Sequence, residues 1–489
     1  MLYHLTVSYY FMSHFFKPLF IFILTYTLYF NAHAQNQQPA AKPNILLIFA
    51  DDLGYMDCGF TGSKIMETPN IDALSKKGIV FNNAYAGAGN CAPSRAALIS
   101  GQYSPRTGVY AVGSTTRGPV DLMRLVPVRN NVSLNPSFHT IAEGLKDEGY
   151  ATAIFGKWHL ADSKETQPQA QGFDWYTKGL KEQSAKGSNE ANDPKGVSYL
   201  TDAAIKFMQN TKDKPFFAYL AHNAIHSKLE AKAETIAKFK KKGLNDKMAV
   251  YAACTYDFDV SVGIVMDFLK KSGLDKNTLV IFTSDNGATQ QSSQEPLRGN
   301  KGAYYEGGIR EPFIAYWPDH IKPGSVNATP IINLDFYPTF MSLAGDKKFK
   351  GDGEDLMPLL LGQKTETIRK SIYWYFPGYL DNTVIRGRDK VFRTRPVAVI
   401  RKGDFKLHLY LEEWILDGGK AKINENNAVE LYNIKTDEGE HLNLANANQV
   451  KRDELLADLL NWMEKTKAPL PTKITATNKP VQGTVGGEN

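Results

Sequence analysis

Cysteine is scarce in this chain: Cys58, Cys91 and Cys254 are the only three in 489 residues. Three thiols can neither staple a small disulfide scaffold nor complete a four-cysteine metal site. Charge of one sign is equally thin. Lys and Arg number 57 against 51 Asp and Glu, a formal net charge of +6. That excludes the concentrated basic face of a dedicated nucleic-acid binder. Long apolar runs are missing beyond the first thirty residues, so no later stretch is expected to cross a bilayer. No internal repeat is visible either. Apolar residues as such are not in short supply. At 43% hydrophobic and 11% aromatic, the chain is too apolar for disorder and long enough for one large domain or two to three ordinary ones.

Residues 1–34 carry a single charged residue, Lys17, followed by an apolar run from Pro18 to Phe30. Such a run suits the h-region of a signal peptide and spans a membrane poorly. Ala32-His33-Ala34 reads as the cleavage site, and Met12 is an alternative start. No cysteine lies near that site to carry a lipid, so no stable membrane anchor is expected. The expected mature protein is exported, periplasmic or secreted, and begins with a linker over 35–42.

Asn44–Ala50 is apolar without alternation, as a strand buried on both faces of a parallel sheet requires. Ala151–Phe155, Phe216–Ala221 and Leu279–Thr283 read the same way. Thr140 and Glu143 form a capping box opening a helix toward Gly149. Thr201–Gln209 and Lys247–Lys271 have helical apolar spacing. The alternation predicts an α/β fold, a mostly parallel sheet sandwiched by helices. After about residue 365 the pattern changes. Pro396–Ile400 and Phe405–Tyr410 flank Arg401-Lys402-Gly403-Asp404 as a β-hairpin, Ala428–Asn433 is a third strand and Arg452–Thr466 a closing helix. The expected organisation is a catalytic domain over 43–365, a smaller antiparallel-sheet subdomain over 366–472 and a flexible tail over 473–489.

Each buried strand is followed by polar residues. They are Asp51-Asp52, Lys157-Trp158-His159, His222-Asn223-Ala224-Ile225-His226 and Asp285-Asn286. Ligands of parallel α/β sheets bind beyond the carboxyl ends of the strands. Asp51, Asp52, Asp285 and Asn286 offer hard oxygen ligands that suit Ca²⁺ or Mg²⁺. His222 and His226 are four apart, but Asn223 stands where a zincin needs Glu, so zinc is a minority reading. His222 reads as a structural residue. Cys91 precedes Pro93, a first-turn position, and so lies at a helix N-terminus that favours anions. Arg95 follows one turn on. Taken alone, a lone buried Cys is more often an inert thiol than a nucleophile.

Cys91-Ala92-Pro93-Ser94-Arg95 resembles the C-x-P-S-R signature of the type I sulfatases, in the alkaline phosphatase superfamily. Further blocks resembling that family occur in its order over about 43–345. They include Asp51-Asp52-Leu53-Gly54-Tyr55, Gly156-Lys157-Trp158-His159, Ser284-Asp285-Asn286-Gly287, Arg298-Gly299-Asn300-Lys301-Gly302 and Glu306-Gly307-Gly308-Ile309-Arg310-Glu311-Pro312. Leu431-Tyr432-Asn433-Ile434 extends the likeness to about 445. The chain looks similar to bacterial carbohydrate sulfatases.

The resemblance implies an alkaline-phosphatase-like fold and conversion of Cys91 to formylglycine by a formylglycine-generating or anaerobic sulfatase-maturating enzyme. It implies one Ca²⁺ held by Asp51, Asp52, Asp285, Asn286 and the converted Cys91. Arg95, Lys157, His159, His226 and Lys301 would surround the sulfate. A hydroxyl of the hydrated formylglycine would attack sulfur, His226 would protonate the leaving alcohol, and His159 would accept the proton of the second hydroxyl. One departure stands out: Ile225 precedes His226 where the family often has proline.

Arg106, Arg117, Arg124 and Arg129 in the 103–137 insertion, with Arg386, Arg388, Arg393 and Arg395 near Trp374, Tyr375, Phe376 and Tyr379, suit stacking on sugars and pairing with further anions. A solvated basic surface is the bland alternative. The expected substrate is a sulfated poly- or oligosaccharide, algal in the manner of carrageenan or ulvan. Two competitors stay open: a phosphonate monoester or phosphodiester hydrolase of the same superfamily, and an exported sulfated-glycan binding protein that never matures.

Overall fold

A computed structural model of the chain describes residues 42–179, 192–211, 213–346 and 348–483. The expected signal peptide (1–34), all of the linker but Lys42, and residues 484–489 of the tail lie outside the described residues. From Pro43 onward the chain forms one compact unit.

Eight strands make the central sheet: β1 (Asn44–Ala50), β2 (Ile79–Phe81), β3 (Ala151–Gly156), β4 (Trp175–Thr177), β5 (Phe216–Ala221), β6 (Thr278–Ser284), β7 (Ile314–Tyr316) and β8 (Ser325–Asn327). Their order is β8-β2-β7-β6-β1-β5-β3-β4, and only β7 runs antiparallel to its neighbours. The sequence reading of a mostly parallel α/β sheet is therefore correct. Every residue of β1 is buried. Ile45, Leu47 and Phe49 enter one apolar layer with Leu98, Leu145 and Phe340. Leu46, Ile48 and Ala50 enter the opposite layer with Leu200, Ala252 and Val262. A strand with a core on each face cannot alternate apolar with polar, which is why this one reads as a continuous run.

The principal helices are α1 (Pro69–Lys77), α2 (Cys91–Ser100), α3 (Ile141–Asp147), α4 (Val197–Asn210), α5 (Ala233–Lys241), α6 (Asp246–Ser272), α7 (Phe336–Ala344) and α8 (Gln449–Lys465). In α3 the capping box is formed, Thr140 accepting from Glu143 N–H and Glu143 from Thr140 N–H. Helix α6 corrects one expectation. It has the length and mean hydropathy of a membrane span. Its Ala252, Phe258, Val262 and Val265, however, are buried in the sheet's second layer, which explains the apolar composition without a bilayer.

The second sheet is antiparallel, with β9 (Ser371–Phe376), β10 (Val397–Lys402), β11 (Phe405–Tyr410) and β12 (Val429–Asn433) in that order. The sequence reading found β10 to β12 and α8 but missed β9, whose aromatics look like a sugar-binding surface. Trp374, Tyr375, Phe376 and Tyr379 are all buried instead. Trp374 Nε1–H donates to Ala86 O at 2.8 Å, docking this sheet on the segment that leads into α2. The expected flexible tail is tied down at two points. Thr472–Lys473 pairs with Leu125–Val126, and Gly483 N–H donates to Thr116 O at 3.0 Å.

Candidate active site

Strand register builds the site. Ala50 pairs with Ser284, Phe49 with Ala221, and Gly156 with Ala221. The residues that follow these strands therefore emerge at one edge, and they are Asp51, Asp285, His222 and Lys157. Beyond β1 the ladder is extended by Asp51 N–H to Ala224 O (2.8 Å) and Ile225 N–H to Asp51 O (2.6 Å). That pairing carries His226 next to Asp52. Asp52 itself sits at φ 64°, a left-handed conformation that Asp tolerates better than most residues.

Cys91 is the first residue of α2, which is buried along its entire length. Its Sγ lies 3.8 Å from Asp52 Oδ1. Burial pushes its thiol pKa up, so the unmodified side chain is a protonated, weak nucleophile. One turn on, Arg95 donates to Asp285 Oδ2 from Nε (3.1 Å) and Nη2 (2.8 Å), and to Lys157 O from Nη1 (3.0 Å). Asn333 fixes the helix from the side, its Nδ2 donating to Ser94 Oγ at 2.8 Å.

Two lysines complete the ring of charge. Lys157 Nζ donates to Asp51 Oδ2 at 2.8 Å, and Lys301 Nζ to Asp52 Oδ2 at 2.8 Å. Lys301 is carried by a loop whose Gly302 N–H donates to Gly89 O at 2.6 Å, so the loop is fastened just ahead of Cys91. Burial alone raises the carboxyl of Asp51. Lys157, His226 and Arg95 outweigh it and hold that carboxyl well below its usual range. Asp52 is lowered in the same manner, burial being overcome chiefly by Lys301 and His226.

Ligand atoms of Asp51, Asp52, Cys91 and His226 all lie within 4.8 Å of one another. This set differs from the sequence assignment, which named Asp285 and not His226. Asp285 stands beside the group, but its Oδ1 accepts Asp52 N–H (3.1 Å) and its Oδ2 is held by Arg95. Asn286 gives Nδ2–H to Asp52 Oδ1 at 2.7 Å. The amide oxygen, Asn286 Oδ1, and Asp51 Oδ1 are buried without a hydrogen-bond partner. Two orphaned oxygens beside a second carboxylate fit a hard divalent cation, the ion such a donor set prefers.

His226 is buried, and its Nδ1 meets Ser227 O at 2.6 Å. That contact assigns the proton to Nδ1 and leaves Nε2, 3.7 Å from Asp52 Oδ2, toward the pocket. Lys195, which sequence reasoning passed over, fastens this segment by donating to His226 O (2.8 Å) and Lys228 O (3.2 Å). His159, at φ 64°, is lowered well below the usual histidine pKa by burial and then by Lys157 and Arg95. Its buried Nδ1 has no partner. His222 is structural, as the sequence suggested. It packs edge-on against Phe258, approaches Ser261 Oγ at 3.4 Å, and is lowered to about 3 by burial. Tyr219, 3.4 Å from Arg95 Nη1, gave no sequence signal because it reads as one more apolar strand residue.

The arginines and aromatics expected to bind sugar are mostly spent inside the protein. Arg106 pairs with Asp352, Arg124 with Asp417, Arg386 with Glu295, Arg388 with Glu413, and Arg395 with Glu412. Trp374, Tyr375 and Phe376 are core residues of β9, and Tyr379, beyond the strand, packs with Met123 and Phe392 in a separate apolar cluster.

The sulfatase family profile matches residues 43–346, and the profile of the N-sulphoglucosamine sulphohydrolase C-terminal region matches residues 300–468. A sulfatase of Formosa agariphila is 33% identical over 91% of this chain and 93% of its own. Arylsulfatase A of Homo sapiens is 31% identical over 89% of this chain and 90% of its own. Among solved structures, Ps i-CgsB in complex with k-i-k-neocarrahexaose superposes with a TM-score of 0.69 at 30% identity, covering 89% of this chain and 95% of that one.

Proposed function

This chain belongs to the sulfatase family and is a sulfuric ester hydrolase, and from that premise we propose that it is an exported enzyme acting on a sulfated carbohydrate, with Cys91 converted to formylglycine and one Ca²⁺ bound beside it. The observation that carries the site is the convergence of Asp51, Asp52, Cys91 and His226 within 4.8 Å, ringed by Arg95, Lys157 and Lys301. The carbohydrate reading draws support from Ps i-CgsB, which binds k-i-k-neocarrahexaose at 30% identity to this chain. An algal polysaccharide of the carrageenan or ulvan kind is the class we favour. Export rests on the apolar run at Pro18–Phe30 and the Ala32-His33-Ala34 site.

Asp51, Asp52 and Asn286 would hold the cation, with Asp285 beside them. A divalent cation there would make the pocket net positive, since Asp51, Asp52 and Asp285 are otherwise balanced by Arg95, Lys157 and Lys301. Formylglycine at 91 would supply a hydrated aldehyde, whose one hydroxyl serves as nucleophile and whose second allows sulfate to be released. The chain's own groups do the rest. Arg95, Lys157 and Lys301 offset the charge of the sulfate ester, and such preorganised charge is usually the largest catalytic contribution. The N-terminus of α2 adds a positive dipole at the same point. His226, with Nδ1–H held by Ser227 O, would act as the imidazolium, passing its second proton from Nε2 to the departing alcohol and leaving the neutral ring. His159, held neutral by its surroundings, is the base for the proton lost as sulfate leaves.

The test is sulfate release from a panel of defined sulfated oligosaccharides, run beside an aryl sulfate and a phosphodiester. Peptide mass spectrometry should find residue 91 lighter by the thiol-to-aldehyde difference in active protein. Activity with an unmodified Cys91 would sink the formylglycine reading. Turnover confined to the phosphodiester would favour the phosphodiesterase alternative, and sugar binding without sulfate release would favour the binding protein.

A further inference from the structure

Among the described residues, the guanidinium of Arg393 is not spent on an internal ion pair. Arg393 is partly buried, yet no carboxylate lies within ion-pair distance of it among the described residues, whereas Arg106, Arg124, Arg386, Arg388 and Arg395 each have one. Its hydrogen bonds go only to carbonyls, from Nε to Asn382 O (3.2 Å) and from Nη1 to Lys301 O (3.4 Å).

Arg393 is not alone. Thr116 bridges Tyr379 and Leu380 bridges Thr394. Arg117 N–H donates to Tyr379 O (3.2 Å), and Arg393 N–H to Leu380 O (2.8 Å). These bonds set segments 116–117, 379–381 and 393–394 side by side. Arg117 and Arg393 then flank a single acid, Asp381, which meets Arg117 Nη2 at 2.6 Å. Arg117 Nε is buried and without a partner. Burial, and after it the neighbouring Arg117, lowers the Arg393 guanidinium from its usual value. Two neighbouring guanidiniums with one carboxylate, paired to Arg117 alone, leave an excess positive charge, which a partly desolvated site tolerates poorly unless an anion visits it.

This excess charge lies next to the reaction centre. Arg393 Nη1 reaches the carbonyl of Lys301, whose ammonium is on Asp52. A side chain at Gly302 (φ 90°) would overlap Arg393 Cδ, so the guanidinium is pressed against the loop that Gly89 fastens beside Cys91. We propose that Arg393 and Arg117 form a subsite for a second oxyanion of the substrate, a sulfate ester or a uronate carboxylate, adjoining the sulfate that is cleaved. Arg is suited to both groups because its planar fork meets two oxygens at once. The subsite makes this enzyme selective for sugars with neighbouring negative charges. It rests on the sulfated-carbohydrate reading above.

The experiment measures inhibition of 4-nitrophenyl sulfate hydrolysis at fixed ionic strength, because surface electrostatics are screened by salt. The inhibitors are galactose monosulfates, galactose disulfates, and a monosulfated disaccharide ending in a uronic acid. Wild type is expected to bind the best doubly anionic sugar about tenfold more tightly than its monosulfate, about 1.4 kcal/mol. Whether the disulfate or the uronate gains more identifies the second group. In R393Q and in R117Q that ratio should fall to about twofold or less, and R393K should retain part of it. R124Q, which breaks only the exposed Asp417 pair, should leave the ratio intact. Melting curves check that each variant folds, and R393K keeps the test alive should the neutral variants fail. A ratio near one in wild type, or a ratio that survives both R393Q and R117Q, overturns the subsite alone. If no sulfated sugar competes at all while aryl sulfate is still hydrolysed, the carbohydrate reading fails and the subsite with it.

Discussion

Lys301 Nζ lies 2.8 Å from Asp52 Oδ2 although 249 residues separate them in sequence. The contact joins the loop after β6 to the end of the first strand. Asp52 is shared further, since Asn286 Nδ2 donates to its Oδ1 and Cys91 Sγ lies 3.8 Å from that same oxygen. A carboxylate with such neighbours cannot be altered without disturbing Cys91, Asn286 and Lys301 together.

Cys91→Ala should lower sulfate release by roughly three orders of magnitude or more, as removal of a nucleophile does. The change deletes one buried sulfur at the start of α2, so the stability loss should stay near about 1 kcal/mol. Activity assays and thermal melts on the same preparation measure both. A large drop in melting temperature without loss of turnover would contradict the assigned role.

Chelation should lower the melting temperature, and added Ca²⁺ should restore it. An ion present at a hundred times its Kd stabilises the folded state by about 2.7 kcal/mol. Asp51→Asn should weaken the proposed cation site, so its melting temperature should respond less to both treatments. Equal responses in wild type and variant would place the ion elsewhere.

Trp374→Ala should act on stability and not on substrate choice. The ring is buried, meets Tyr85 edge-on at 5.3 Å and donates to Ala86 O. Removing such a side chain costs about 3–5 kcal/mol. Denaturant unfolding should register that loss, with KM for a sulfated sugar little changed in the folded fraction.

A buried ion network welds the second sheet to the catalytic core. Lys406 Nζ lies 2.9 Å from Glu306 Oε1 and 3.1 Å from Glu440 Oε1, all three side chains being buried. Lys406→Met would remove the ammonium shared by two buried carboxyls, leaving Glu306 to Tyr85 and Arg310 and Glu440 to His408, and should cost about 3–5 kcal/mol in denaturant unfolding.

The same network sets a pH dependence of opposite signs. Burial raises Glu440 to about 7 despite Lys406, so the folded state holds a proton that the unfolded chain has already released. Its contribution to stability therefore falls as pH rises from the ordinary glutamate value through about 7. Glu306 is held at about 2, its burial outweighed by Lys406, Arg401 and Arg310. Its contribution is present above the ordinary glutamate value and is lost as pH falls from there toward about 2. Glu440→Gln should flatten the loss of melting temperature between about pH 5 and 7 relative to wild type. An unchanged slope would remove Glu440 as its source.

Much of the site was readable before folding because it is built on strand ends. Asp51, Lys157, His226 and Asp285 all follow apolar runs, and the sheet brings such ends to one edge whatever the loops do. The capping box at Thr140 and the helix beginning at Cys91 were readable for a similar reason: their bonds are local. Arg393 and Arg395 were not separable. Both are arginines two residues apart in one loop, yet Glu412 takes one and the active-site rim receives the other.

The sequence by itself determined the layered α/β fold and which polar residues meet at its edge, because both depend on local pattern: continuous apolar runs for the buried strands and the polar residues that follow them. The tertiary structure decided which charges are left for a substrate and which aromatics are core. It also brought His226 to the carboxylate pair and tied Asp285 to Arg95. Those outcomes depend on partners hundreds of residues away, and nothing in a side chain's own neighbourhood in sequence reveals whether such a partner will arrive.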